Sequence, residues 1–166
     1  ATIGYHIFGA ALARRLSPPV ADEANLYLSR FEVPQIRLFE LLANEVPQVG
    51  LTTVIANRCI ARALEGQAHA TIIDVGIGTA RQMASLFELL HAEARLPQRI
   101  TLIGIEPSDW SLVLAEENAC RAAEKLGIEL EFHPVRAPVE LLNQQDWARL
   151  AALCPTRPVI NGSFAF

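Results

Sequence analysis

Hydrophobic and polar residues follow different patterns in the two parts of this chain. Over residues 1–67 the apolar positions recur at helical spacing, with breaks at residues 17–19, at Pro34 and at residues 47–50. From residue 68 onwards, short apolar runs alternate with segments of helical periodicity. We therefore predict an N-terminal helical cap over residues 1–67, which packs on a core formed by residues 68–166.

The second part of the chain predicts four buried strands, over residues 71–75, 100–105, 128–132 and 158–160. The segments between them are helical: one opens near Arg81, and a longer one runs from Ser108 or Asp109 to Lys125 and stops at Gly127. Strands that alternate with helices form a parallel sheet with right-handed crossovers. The predicted fold class is α/β, with a partial Rossmann-like parallel sheet of about four strands beneath the cap.

A glycine turn lies between the first strand and its helix. Asp74 ends the strand, and Gly76 and Gly78 follow at alternate positions. Glycine adopts φ values that a Cβ forbids, and the next helix N-terminus offers free N–H groups to a ligand. A dinucleotide site would need a small residue where Arg81 stands, whereas a DxGxG turn with Ala80 after it is similar to the first motif of S-adenosylmethionine-dependent methyltransferases. A simple strand-to-helix turn is the alternative.

Polar residues lie at the carboxyl end of every predicted strand, at the edge where open parallel sheets bind ligands. They are Asp74, Glu106, the 133–136 loop and Asn161. The carboxylate of Glu106 can accept both hydroxyls of a ribose, and the ring of Pro107 can lie against adenine. Polar residues also end buried strands for structural reasons, and a solvated turn is the alternative at Glu106.

Four side chains in this region leave their roles open. Asp74 needs a partner because burial of an unpaired carboxylate is costly, and the partner is either the amino group of a methionine tail or N–H groups of the loop. Asn161 can orient a methyl acceptor but cannot deprotonate it, although Asn161-Gly162 is also a turn signal. His133 is a weak candidate for a base, so no catalytic residue is assigned. Gln82 points either at the site or at water.

Composition excludes several classes of function. The chain has 166 residues, of which 51% are hydrophobic, so it is about one domain. Its net charge of −4 comes without a basic stripe, and it has no long apolar run, so we expect neither a nucleic-acid nor a membrane partner. We expect no secretory signal. The histidines stand alone in the sequence, so we also expect no metal site. The cysteines, Cys59, Cys120 and Cys154, form no CxxC pair, which indicates reduced thiols in a cytoplasmic protein.

Four segments, in order, resemble motifs of the GRAS family. They are TVIANRCI at 53–60, IIDVGI at 72–77 with ARQ at 80–82, RITLIGI at 99–105 and VIN at 159–161. They are similar to the family's "tANqaI", "HIIDFDI…GxQW", "LRITGI" and "VN" motifs. The resemblance implies a methyltransferase-like Rossmann fold beneath a helical cap, with Asn57 facing the ligand pocket from the cap.

Three positions depart from the plant pattern of this family. Gly76 stands where plant members carry a second Asp, which restores the DxGxG of methyltransferases, while Ala80 replaces a Gly and Met83 replaces a Trp. Bacterial members are regarded as small-molecule methyltransferases and plant members chiefly as transcriptional regulators. The resemblance therefore implies a methyltransferase, with a non-catalytic regulatory or protein-interaction module as the alternative.

The residues and the resemblance together predict one site. The cofactor is S-adenosylmethionine and the other partner is a small-molecule methyl acceptor. The expected cofactor-binding residues are Asp74, Gly76, Ile77, Gly78, Glu106 and Pro107, and the expected substrate-binding residues are Asn57 and Asn161.

The fourth strand is expected to need a cover. A complete fold of the resembled type has seven strands, whereas four are predicted here, and an uncovered edge strand with apolar neighbours is a liability. We expect either a C-terminal segment beyond residue 166 or a second copy in a homodimer to lie along it.

Overall fold

The computed structural model of the protein describes residues 45–163. Its helices are Pro47–Ala63 (α1), Arg81–Ala92 (α2), Asp109–Leu126 (α3) and Gln144–Ala152 (α4), and its strands are His69–Val75 (β1), Arg99–Ile105 (β2), Glu129–Val135 (β3) and Val159–Asn161 (β4). A single 3₁₀ turn, Val139–Leu141, precedes α4. None of these helices is both long and apolar enough to cross a membrane.

The four strands are parallel, and their order across the sheet is β3-β2-β1-β4. The chain moves outward from β1 through β2 to β3, and then returns to the opposite side of β1. A doubly wound Rossmann sheet begins with this order, and its ligand crevice lies where the direction of winding reverses. That point is the gap between the carboxyl ends of β1 and β4. The fold is α/β and Rossmann-like, as the sequence predicted.

Two hydrophobic clusters cover the two faces of the sheet. Ile72 and Leu102 belong to a cluster with α1, α2 and α3, which includes the buried ring of Phe87. Ile73 and Ile103, the next residues along the same strands, belong to a second cluster, into which Leu150 of α4 packs. Successive side chains of a strand point to opposite faces, so a sheet covered on both sides needs continuous apolar runs.

The residues that bound α3 have the predicted roles. The Oγ atom of Ser108 accepts a hydrogen bond of 3.3 Å from the backbone N–H of Ser111, which satisfies one of the free donors of the first turn. Gly127 follows the last turn with a φ of 70°, a left-handed conformation that closes a helix C-terminus. Local sequence signals were sufficient to define both ends of this helix.

Two predicted boundaries are wrong. Pro47 and Gly50 do not form a turn, because both lie in α1, which begins at Pro47. Proline suits the first position of a helix because the N–H that it lacks would have no partner there. The third strand continues to Val135, so most of the loop predicted over residues 133–136 is strand. Its Pro134 is tolerated because β3 lies at the edge of the described sheet.

Most of the predicted helical cap lies outside the described residues. The breaks predicted at residues 17–19 and at Pro34 also lie there. The described part of the cap is α1, which packs against α2 and β4. The boundary between cap and core after residue 67 stays a prediction.

Gly104 provides a test of how tightly the glycine turn packs on β2. A Cβ atom at this position would lie 2.9 Å from Cδ1 of Ile77 and 3.1 Å from Cζ of Phe132. We expect Gly104→Ala to lower the free energy of unfolding by about 1–3 kcal/mol through overpacking, as measured by urea unfolding. Ile77→Val removes the nearest atom. The double variant should therefore lose less unfolding free energy than the two single variants lose together. Additive effects would show that Ile77 is not the obstruction.

Candidate functional site

The turn between β1 and α2 is held against the end of β2. The backbone N–H groups of Gly76 and Ile77 both donate to the carbonyl oxygen of Ile105, at 2.8 and 3.3 Å. Gly76 and Gly78 have φ values of 73° and 56°, in the left-handed region where a Cβ is unfavourable. Gly76 is exposed, so its main chain is open to a ligand. The Ile77 side chain packs in the core, so its predicted role at the cofactor can involve only its backbone.

Ala80 completes the turn in the same left-handed conformation. Its φ is 57°, which costs an alanine roughly 1–2 kcal/mol relative to the right-handed region. This is the position where the resembled family carries a glycine. The backbone of the turn thus keeps the glycine conformation although the side chain has changed.

Glu106 lies buried beside this turn. Its Oε2 accepts from the backbone N–H of Gly78 at 3.3 Å, and its Oε1 accepts from the backbone N–H of Ser108 at 3.1 Å. Burial raises the pKa of this carboxyl above its usual value, and the bonds from Ser108 and Gly78 partly offset the shift. Glu106 is therefore not a solvated turn residue. Its two oxygens have about four acceptor positions, which leaves capacity for the two hydroxyls of a ribose.

Asp74 is buried at the end of β1 and pairs with Asn161 at the end of β4. The two residues are opposite each other in the parallel register, and Nδ2 of Asn161 donates to Oδ1 of Asp74 at 2.6 Å. Burial raises the pKa of Asp74 from 3.8 to about 7, and the Asn161 bond opposes this shift. An amide from the neighbouring strand therefore provides Asp74 with a partner that the sequence analysis had not considered.

Gln82 connects this pair to the helix α1. Its Nε2 donates to Oδ1 of Asn57 at 3.1 Å, and Nδ2 of Asn57 donates back to the carbonyl oxygen of Gln82 at 3.4 Å. Its Oε1 accepts from Asn161 at 3.4 Å, and Ser163 donates to Oδ1 of Asn161 at 2.9 Å. The question left open for Gln82 is answered: its side chain points into the site.

The structure thus groups the predicted site residues into two sets. The first set is the glycine turn with Glu106 and the half-buried Pro107 that follows it. The second set, which we call the amide network, consists of Asn57, Asp74, Gln82, Asn161 and Ser163. Of these residues, Gln82 had been left open in the sequence and Ser163 had not been predicted. Two signals pointed to Gln82: it lies in the first turn of α2, close to the carboxyl end of β1, and it matches the Gln of the resembled GxQW motif.

His133 lies apart from both sets. It is inside β3, where its Nε2 is 3.2 Å from a carboxylate oxygen of Glu131. β3 and β4 are three positions apart in the sheet order, which corresponds to about 14 Å. His133 is therefore badly placed to act as a base for a substrate at Asn161.

The parallel sheet and the glycine turn define a Rossmann-like α/β protein, and comparison with known proteins gives its family. The profile of the GRAS domain family matches residues 5–150. The chain belongs to the GRAS domain family. It is 30% identical over 130 residues to Scarecrow-like protein 28 of Arabidopsis thaliana, an alignment that covers 78% of this chain and 18% of that protein. It is 29% identical over 153 residues to SCARECROW-LIKE protein 7 of Oryza sativa subsp. japonica, covering 84% and 26%. The chain spans about a quarter or less of these relatives.

Two solved structures are weakly similar to the chain. One is a putative protein-L-isoaspartate O-methyltransferase from Plasmodium falciparum in complex with S-adenosyl-L-homocysteine, with 19% identity and a TM-score of 0.40 over 60% of this chain and 44% of that one. The other is YjhP from E. coli, with 15% identity and a TM-score of 0.36 over 63% and 47%.

The raised pKa of Asp74 predicts a specific dependence of stability on pH. Between about pH 4 and 7 the unfolded carboxyl is ionised while the folded one holds its proton, so the folded state binds more protons. The free energy of unfolding should therefore fall as the pH rises through this window, by up to about 1.4 kcal/mol per pH unit from this group, and level off above pH 7.

Asp74→Asn isolates this contribution from that of the other titrating groups. The variant keeps an oxygen that can accept from Asn161, but it cannot titrate. Urea unfolding of both proteins from pH 4.5 to 8 should show the variant gaining stability relative to the wild type as the pH rises. Parallel pH curves would contradict the assigned pKa.

Gln82→Ala tests whether the amide network stabilises the fold. The change leaves Oδ1 of Asn57 and one N–H of Asn161 without their partners. We therefore expect the free energy of unfolding, measured with urea, to fall by about 1–3 kcal/mol. Gln145 offers a matched control, because it is an exposed glutamine in the first turn of α4. Gln145→Ala should change stability by no more than about 0.5 kcal/mol. Equal effects of the two changes would mean that the network adds nothing to stability.

Proposed function

We propose that the carboxyl edge of this sheet binds S-adenosylmethionine and that the protein transfers its methyl group to a small molecule. One observation carries the proposal: the carboxylate of Glu106 is buried against the glycine turn, and each of its oxygens accepts one backbone N–H. A carboxylate fixed in this way at the end of the second strand is where a Rossmann-type site holds a ribose.

The residues present fit the parts of this cofactor. Glu106 has acceptor capacity for the ribose hydroxyls, and the half-buried ring of Pro107 offers an apolar surface for adenine. The exposed main chain at Gly76 leaves space for the methionine portion. Donors from the ribose would stabilise the ionised form of Glu106, so its pKa should fall when the cofactor binds.

The chain's own contribution to methyl transfer would be alignment. S-adenosylmethionine, when bound, supplies a methyl group on a positively charged sulfur, and that charge provides the reactivity. The glycine turn and Glu106 would fix one side of the reacting pair, and Asn161 would orient the methyl acceptor on the other side. This division of roles agrees with the position of the amide network at the switch point between β1 and β4.

A non-catalytic GRAS-type interaction module is the second candidate. The observation that favours it is that Asp74 and Asn161 already satisfy each other, so this part of the edge is complete without a ligand. The relatives named above are Scarecrow-like proteins, and none of their names states an enzymatic activity. Such a module would keep the fold but would not bind the cofactor.

Isothermal titration with S-adenosylhomocysteine separates these two candidates when it is combined with two glycine variants. Gly76 and Gly127 have nearly the same φ, 73° and 70°, so replacing either by Leu adds similar backbone strain. Only Gly76 lies in the proposed site, whereas Gly127 ends α3 with no other atom within 4 Å of a Cβ placed there. We expect micromolar binding, of the order typical for small ligands, that is lost in Gly76→Leu and retained in Gly127→Leu.

Other results of this titration would count against the proposal. No binding by the folded wild-type chain would favour the interaction module. Unchanged affinity in Gly76→Leu would show that the ligand does not lie against the turn. Circular dichroism of both variants checks that each is folded.

A further inference from the structure

The amide network has a fixed direction, which its two ends determine separately. One end is the backbone carbonyl of Gln82, which can only accept. Asn57 must therefore face it with Nδ2, and its Oδ1 is left to accept from Nε2 of Gln82 at 3.1 Å. Gln82 then has only its Oε1 to present to Asn161, at 3.4 Å.

The other end of the network is the carboxylate of Asp74. Above its pKa the Asp74 carboxylate is ionised and accepts but does not donate, so Asn161 must then face it with Nδ2, at 2.6 Å. Asp74 and Gln82 thus require the same orientation of the Asn161 amide. Both N–H bonds of Asn161 point to protein acceptors, and its Oδ1 points towards the hydroxyl of Ser163, which donates at 2.9 Å.

We infer that Asn161 can offer a ligand only its carbonyl oxygen, and that the methyl acceptor is therefore a hydrogen-bond donor, namely an amine. This inference rests on the proposed function. A carbonyl oxygen has two acceptor positions, and Ser163 occupies one of them, so a ligand can use the second or replace the Ser163 hydroxyl. A carboxylate or a phosphate would place its own oxygen against that of Asn161, with the carboxyl of Asp74 directly behind it.

An amine fits this position better than an alcohol. An alcohol is a weak nucleophile until a base removes its proton. Two candidate bases among the described residues are badly placed for this role. His133 lies three strand positions from Asn161, and the carboxyl of Asp74 is bonded to Asn161 rather than open to a ligand. A neutral amine needs no base, because its nitrogen carries a free electron pair beside the N–H that Asn161 would accept.

The transfer step balances without a further reactant. The electron pair of the neutral amine forms a bond to the methyl carbon while the bond from that carbon to sulfur breaks. The pair of the broken bond stays on sulfur, which gives S-adenosylhomocysteine and a methylated ammonium. The ammonium then loses its N–H proton to water. The carbonyl of Asn161 accepts from an N–H of the amine throughout and stabilises the positive charge that develops on nitrogen.

The test measures S-adenosylhomocysteine formation from S-adenosylmethionine with probes that share one carbon skeleton: benzylamine, N-methylbenzylamine, benzyl alcohol and benzoate. We expect turnover with the amines alone. Asn161→Ala should lower that turnover about tenfold or more, the loss expected for one hydrogen bond to a developing charge, while the affinity for S-adenosylhomocysteine stays within about twofold. Asn143→Ser is the matched control, because Asn143 caps α4 outside the site and Ser retains the cap.

The possible failures are distinguishable. A wild-type chain that does not bind S-adenosylhomocysteine overturns the proposed function and the amine assignment with it. A chain that binds it but methylates benzoate or benzyl alcohol, or turns over neither amine, overturns the amine assignment alone. Turnover that is unchanged in Asn161→Ala does the same.

A second measurement needs no variant and no cofactor. Because both side-chain N–H groups of Asn161 donate to protein acceptors, their NMR signals should exchange slowly with solvent in the unliganded chain, unlike those of the exposed Asn143. Equally fast exchange at both residues would show that the amide is not held as described, and would overturn the inference even if Asn161→Ala failed to fold.

Discussion

The hydrogen bond between Asp74 and Asn161 is the contact on which the ligand edge of this protein depends. It joins the carboxyl ends of β1 and β4, the two strands between which the winding of the sheet reverses. A buried carboxylate without a partner is costly, so the pairing allows an acidic residue to stand at the centre of the sheet. The same amide that satisfies Asp74 also contacts Gln82, and through it α1 is attached to this edge.

The edge contains two buried carboxyl groups in different surroundings. Asp74 faces a side-chain amide, and its pKa rises to about 7, so it is near the point of losing its charge at neutral pH. Glu106 faces two backbone N–H groups, which favour its ionised form and oppose the effect of burial. The carboxyl of Asp74 therefore has a structural role, because it holds Asn161 in place. The carboxyl of Glu106 retains the acceptor capacity that a ligand would need. Their different partners separate the structural part of the edge from the proposed cofactor part.

Much of the fold and part of the site could be predicted from local sequence. The ends of α3 followed from Ser108 and Gly127, because caps are determined by a few adjacent residues. The pairing of Asp74 with Asn161 could not be predicted, because it depends on which strands are neighbours and on their register across 87 residues of chain. The direction of the Gln82 side chain was left open for a similar reason, because it depends on Asn57 of another helix. His133 was predicted to lie in a loop after residue 132, whereas β3 continues through it to Val135, because an edge strand tolerates Pro134.

A crystal structure of the chain with S-adenosylhomocysteine would show whether the glycine turn and Glu106 form the cofactor site that we propose. The proposed site requires that both ribose hydroxyls lie within hydrogen-bonding distance of the Glu106 carboxylate, with the adenine ring on Pro107 and the sulfur towards Asn161. It would be contradicted by a ligand bound elsewhere on the chain. It would equally be contradicted by crystals soaked in the compound in which Glu106 contacts only the backbone of Gly78 and Ser108.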